Sequence, residues 1–164
     1  LESGVKTINT TIREVRGYIA GLSPESLQHQ TFADSIRSLT QTLDAGRKTK
    51  YDLRIDETAA SLLNEDQTMQ LLQIAREAVS NGLRHGGATQ ITVRLHQSAG
   101  ELCLLVQDNG RGFSPETASG GGHGLTNMRA RVESLGGKLQ FSSSPGAGTK
   151  LIVTMTLLPS PSAT

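Results

Sequence analysis

Apolar residues at the start of the chain recur at alternating steps of four and three: Leu1, Val5, Ile8, Ile12, Val15, Ile19 and Leu22. That spacing is a heptad seam and predicts a helix that packs on other helices in a bundle or coiled coil. Gly21-Leu-Ser-Pro24 ends it, because proline disfavours helix at the residue before it. Phe32, Ile36, Leu39 and Leu43 predict a second amphipathic helix that stops near Gly46. Tyr51, Leu53 and Ile55 alternate with polar residues, as a half-buried strand does. Asn64 and Gln67 form a capping-box pair that opens a long helix to about His85, and its middle is apolar on more than one side.

The second half reads differently. Ile91, Val93 and Leu95 form another alternating strand, Ser98 to Glu101 a turn, and Leu102 to Val106 an almost continuous apolar run. Such a run predicts a strand in mid-sheet or buried on both faces, with Cys103 as inert core packing. Between Asn109 and Gly124 the pattern dissolves into a glycine-rich loop. Leu125, Met128, Val132 and Leu135 restore helical spacing up to Gly136-Gly137. Leu139 and Phe141 begin a hairpin around Pro145 to Gly148, and Leu151, Val153, Met155 and Leu157 return it. Residues 159–164 read as a disordered polar tail. The order predicts an α/β fold, a two-layer α/β sandwich with a mixed sheet and helices on one face, preceded by a bundle-type helix.

Composition narrows the function. The 164 residues carry 35% hydrophobic and 19% charged side chains, the balance of a soluble globular domain. A net charge of +1 argues against a nucleic-acid binder that works by neutralising phosphates. With 3% aromatics and no Trp, base-stacking platforms are not expected either. No apolar run approaches the roughly 20 residues of a membrane helix, so no membrane contact is expected from this chain. The single Cys103 suits a reducing, cytoplasmic compartment. Leu1 stands where an initiating Met would be, and no signal-peptide pattern follows. The chain therefore reads as a piece of a longer protein.

Four clusters could do chemistry. Glu77, Asn81 and His85 are spaced by four and share one helical face. A carboxylate and an amide there suit a hard cation shared with phosphates, though a solvated polar stripe looks the same. Asp108-Asn-Gly110-Arg-Gly112-Phe113 follows the apolar strand, and its glycines let backbone approach a ligand closely. Asp108 could accept a hydrogen bond from an exocyclic amine, and a plain Asn-Gly turn is the alternative. Gly120-Gly-Gly122-His123-Gly124-Leu125 opens a helix, where free amides favour a polyphosphate. It lacks the ending of a Walker loop and could be a flexible connector. Gly146-Ala-Gly148-Thr149 could place a hydroxyl near a ligand or be only a hairpin turn.

Taken in order, the four clusters resemble the ATP-binding module of histidine kinases and their relatives, the gyrase, Hsp90 and MutL (GHKL, or Bergerat-fold) ATPases. Residues 60–158 carry the resemblance. Glu77 to His85 is similar to the N box, Asp108 to Gly112 to the first glycine box, Gly122 to Leu125 to the second, and Gly146 to Thr149 to the last. The run Gly124-Leu-Thr-Asn-Met128-Arg-Ala-Arg131 and the short loop before it resemble NarX/DesK-type sensor kinases, which partner LuxR-type response regulators.

The resemblance implies ATP and Mg²⁺ as cofactors. Asn81 would bind Mg²⁺, with Glu77 supporting the metal or its water, and these two are the expected catalytic residues. Asp108 would bind the adenine amine, aided by Gly110, Gly112 and Thr149. Gly122, His123, Gly124 and Leu125 would line the triphosphate, and His85 would meet a phosphate. It implies a division into 1–24, the end of a dimerisation helix; 25–46, a connecting helical segment; 47–158, the catalytic domain; and 159–164, a tail. The full-length protein would be a homodimer, relaying phosphate to a response regulator. The phosphoacceptor histidine has no match, since His29, His85, His96 and His123 all sit in the wrong contexts. An anti-sigma-factor-type serine kinase and a non-catalytic nucleotide-binding module share the same boxes and remain the rival readings.

Overall fold

The computed structural model describes residues 30–114 and 123–157. The heptad helix expected over 1–24, the loop residues 115–122 with Gly122, and the tail 159–164 lie outside the described residues. Helix α1 (Phe32–Asp44) starts where the Thr31 hydroxyl accepts the Asp34 N–H, and it ends on Ala45 in the left-handed region. Strand β1 (Lys50–Ile55) follows. A short helix α2 (Glu57–Ala60), absent from the sequence reading, is nucleated by Asp56, whose carboxylate accepts the N–H groups of Thr58 and Ala59. Helix α3 (Glu65–Arg84) opens on the predicted capping box: Asn64 Oδ1 accepts Gln67 N–H at 2.8 Å, and Gln67 Oε1 accepts Asn64 N–H at 2.9 Å. His85 caps its C-terminus.

Strands β2 (Gln90–Ser98) and β3 (Glu101–Asp108) meet at Ala99-Gly100, both at positive φ, as a two-residue hairpin turn requires. Helix α4 (Gly124–Ser134) and the hairpin of β4 (Lys138–Ser143) and β5 (Thr149–Thr156) complete the chain. The sheet order is β1-β2-β3-β5-β4, with β1 parallel to β2 and every other pair antiparallel. This is the mixed sheet that the element order predicts.

Register builds the core. Leu53, Val93, Val106, Leu151 and Phe141 lie in one row across all five strands. Above that face lies α3, whose Leu71, Leu72, Ile74, Ala75 and Val79 are fully buried. Each large apolar side chain buried there stabilises the fold by roughly 1.5–3 kcal/mol. Helix α1 joins the same core through Phe32, Ile36 and Leu39.

Strand β3 occupies mid-sheet, one of the two placements its apolar run predicts, and the expectation that Cys103 is core packing is corrected. Leu102, Leu104 and Val106 are buried while Cys103 and Leu105 are only half-buried, because successive side chains point to opposite faces. Cys103 thus sits on the face away from α3 rather than in the core. Partial burial still pushes its thiol above its ordinary range, and Glu101 adds to the effect.

Candidate functional site

The sheet and α3 diverge at one end around a cavity of about 670 Å³. Nine of the sequence-predicted residues line it: Glu77, Asn81, His85, Asp108, Gly112, His123, Gly124, Leu125 and Thr149. Gly110 lies behind the wall and acts through backbone, its N–H donating to Asp108 Oδ1 at 2.8 Å. Gly122 lies outside the described residues. Val106, Met128 and Leu151 supply apolar wall, and Phe113 and Phe141 face each other at its rim with ring centroids 5.7 Å apart.

Asp108 ends β3 on the core side and is 8% exposed. Burial pushes its carboxyl above the usual carboxylate range, and the N–H groups of Gly110 and Thr149 pull it partly back. Its position depends on glycines. A Cβ at Gly82 of α3 would stand 3.1 Å from Asp108 Cβ and 3.2 Å from Oδ2, so only glycine lets helix and carboxylate touch without displacement. A Cβ at Gly110 would lie 2.7 Å from the Gly86 carbonyl oxygen, which in turn accepts Arg111 N–H at 2.9 Å. Asn109 anchors the same turn to β2, accepting the N–H groups of Thr89 and Gln90 at 3.0 and 2.9 Å.

Glu77 and Asn81 share the face of α3 that meets the start of α4. A Cβ at Gly124 would lie 2.5 Å from Glu77 Oε1 and 3.5 Å from Asn81 Nδ2. His123, the N-cap residue of α4, makes no side-chain cap bond there. Farther along, Arg131 of α4 donates to Gln70 Oε1 of α3 at 2.7 Å and ties the two helices. The cavity therefore combines the buried carboxylate of Asp108 with the carboxylate, amide and imidazole of Glu77, Asn81 and His123 beside a helix start. Those groups suit a ligand that carries both an amine, for the buried carboxylate, and anionic groups, for the helix start.

Two contributors escaped the sequence reading. Gly82 lies inside the first cluster, and its fit shows only once α3 lies against Asp108 at the end of β3. Ser143 belongs to Ser142-Ser-Ser144, and only its phase with Leu139 and Phe141 places it on the cavity side.

Residues 66–160 match the model of the histidine kinase-, DNA gyrase B- and HSP90-like ATPases. The chain belongs to that family. Within it, the chain is 36% identical over 135 residues to the signal transduction histidine-protein kinase/phosphatase UhpB of Salmonella typhimurium, covering 80% of this chain and 26% of UhpB. It is 32% identical over 148 residues to the sensor protein VraS of Staphylococcus saprophyticus, covering 90% of this chain and 42% of VraS. The chain thus spans about a quarter to two fifths of the relatives it matches. The histidine kinase domain of the Erythrobacter litoralis EL346 blue-light activated kinase shares the fold at a TM-score of 0.63 and 19% identity, over 77% of this chain and 59% of that one. The strands and helices around the cavity are those of this ATPase domain. Among the described residues no helix is long and apolar enough to cross a membrane.

Proposed function

We propose that this ATPase domain is the catalytic domain of a two-component sensor histidine kinase, which binds ATP and transfers its γ-phosphoryl group to a histidine on a dimerisation helix supplied from outside this chain. The observation that carries the reading is Asp108, a buried carboxylate fixed between Gly82 and Gly110 in the wall of the same cavity that Glu77 and Asn81 line. Asp108 takes the adenine amine, with Gly112 and Thr149 beside it. His123, Gly124 and Leu125 line the phosphates at the start of α4, where free amides favour anions, and His85 meets a phosphate from the end of α3.

The donor set fits Mg²⁺. No group of three His, Cys, Asp or Glu side chains among the described residues could hold a metal by itself. This ion is usually held by one or two carboxylates with substrate phosphates and water, and the oxygens of Glu77 and Asn81 are hard donors suited to it. Asn81 would ligate it, with Glu77 supporting it directly or through water. When bound, the ion neutralises charge that develops on the transferring phosphoryl group. The chain's own part is positioning: holding the nucleotide between Asp108 and the start of α4 for transfer.

The run Gly124 to Arg131 supports the NarX/DesK subtype, with a cytoplasmic homodimer joined through dimerisation helices and a LuxR-type response regulator as the phosphate's destination. The test supplies the chain with radiolabelled Mg-ATP and a separately made dimerisation segment carrying an acceptor histidine. Acid-labile label is expected on that segment and none on the chain alone. Label on His29, His85, His96 or His123, or no transfer in the presence of bound nucleotide, contradicts the reading.

A further inference from the structure

Asp108, Thr149 and Ser143 lie in one register row on three adjacent strands, β3, β5 and β4. The Ser143 hydroxyl has three partners. Phe113 N–H donates to Ser143 Oγ at 3.0 Å, Ser143 Oγ donates to the Gly148 carbonyl at 3.1 Å, and Thr149 Oγ1 stands 3.0 Å away. A hydroxyl owns one proton and two lone pairs. An amide N–H can only donate and a carbonyl oxygen can only accept. Phe113 therefore occupies one lone pair of Ser143 and Gly148 takes its proton. The third contact is then a hydrogen bond only if Thr149 donates into the remaining lone pair.

Ser143 thus consumes the Thr149 proton. What Thr149 turns toward the cavity, which it lines beside Asp108, is lone pairs alone. We propose that Ser143 is a positioning residue that sets the hydrogen-bond polarity of the base pocket: by locking Thr149 as an acceptor next to the Asp108 carboxylate, it makes that wall accept only, and so selects a 6-amino purine over a 6-oxo purine. The inference rests on the nucleotide-binding reading above and deepens it. The same hydroxyl also pins the backbone on both sides of the pocket mouth, Gly112-Phe113 and Gly148-Thr149. A second tie, Gly146 N–H to the Arg111 carbonyl at 2.6 Å, holds those two loops together without it. Losing the Ser143 hydroxyl therefore frees Thr149 without releasing the loops.

The experiment titrates ADP and inosine diphosphate into the wild-type chain, Ser143→Ala, Ser143→Cys, Thr149→Val and the Ser143→Ala/Thr149→Val double variant, with thermal unfolding confirming that each is folded. In Ser143→Ala, Thr149 can turn its proton into the pocket and serve a 6-oxo group. The preference for ADP over inosine diphosphate is expected to fall about tenfold, the effect of one mispaired hydrogen bond. Ser143→Cys, a poor acceptor of the Thr149 proton, falls in the same direction. In the Thr149→Val background, Ser143→Ala is expected to leave the ratio unchanged, because the group it acts through is gone. An equal loss for both nucleotides, or the same shift in ratio with Thr149 absent, overturns the inference. A wild-type chain that binds neither nucleotide overturns instead the reading on which it rests.

Discussion

Gly82→Ala sets helix stability against the site, and the structure says which suffers. Gly82 is buried in the last turn of α3, where alanine is the better helix former by about 1 kcal/mol. The new methyl would meet Asp108 at 3.1 Å from Cβ and 3.2 Å from Cγ and Oδ2. Overpacking of that kind costs roughly 1–3 kcal/mol. The two effects nearly offset, so the variant is expected to fold with a Tm lowered by no more than about 8 °C. The atoms the methyl meets all belong to Asp108, so the strain falls on that carboxylate, which can shift only by straining the Gly110 N–H bond to its Oδ1. A carboxylate moved by a few tenths of an ångström loses alignment with an amine, and a hydrogen bond to a charged group contributes about 1.5–3 kcal/mol. Calorimetric titration with ADP, alongside thermal unfolding, should therefore show at least a tenfold loss of affinity in a protein that remains folded. Wild-type ADP affinity in Gly82→Ala would refute the claim that this close approach positions the carboxylate.

Three further outcomes follow from the same geometry. Asp108→Asn should raise the Tm of the nucleotide-free domain at neutral pH while weakening ADP; because burial raises the folded-state pKa, the wild type loses stability as pH rises through that value, and the gap between the two proteins should close below the unfolded carboxyl value of about 3.9. Gly148→Ala should destabilise the fold by about 1–3 kcal/mol in denaturant melts, since Gly148 sits at φ +72° with its α-carbon facing the Asp108 carbonyl. Asn81→Ala should abolish magnesium-dependent transfer to a supplied dimerisation segment while nucleotide binding falls much less, as read by labelled ATP beside calorimetry.

Where local chemistry decides structure, it is legible in the chain. The Asn64–Gln67 box starts α3 by hydrogen bonds between residues three apart, and alternation in Ile91 to Leu95 and Leu151 to Met155 fixes which face is buried. The clusters at Glu77, Asp108, His123 and Thr149 are short in sequence, and the fold brings them to one cavity. What is not legible depends on register between distant segments. The parallel pairing of β1 with β2 has no local signal. The apolar run Leu102 to Val106 is compatible with a mid-sheet strand or with one buried on both faces, and only the fold decides for mid-sheet, with Leu105 half-covered beside its cross-strand partner Ile152. Helix α2 is a single turn, too short for periodicity to show; only Asp56 marks its start. Ser143 gains its role by standing opposite Thr149, which no spacing within β4 reveals.

The central claim is that Asp108, buried in the wall of this cavity, holds an adenine base. Calorimetric titration of ADP into the wild-type chain and into Asp108→Ala tests it most directly. One site is expected in the wild type, and a loss of roughly 1–3 kcal/mol, about five- to more than a hundredfold in affinity, in a variant that unfolds cooperatively like its parent. Equal affinity in the two proteins would contradict it.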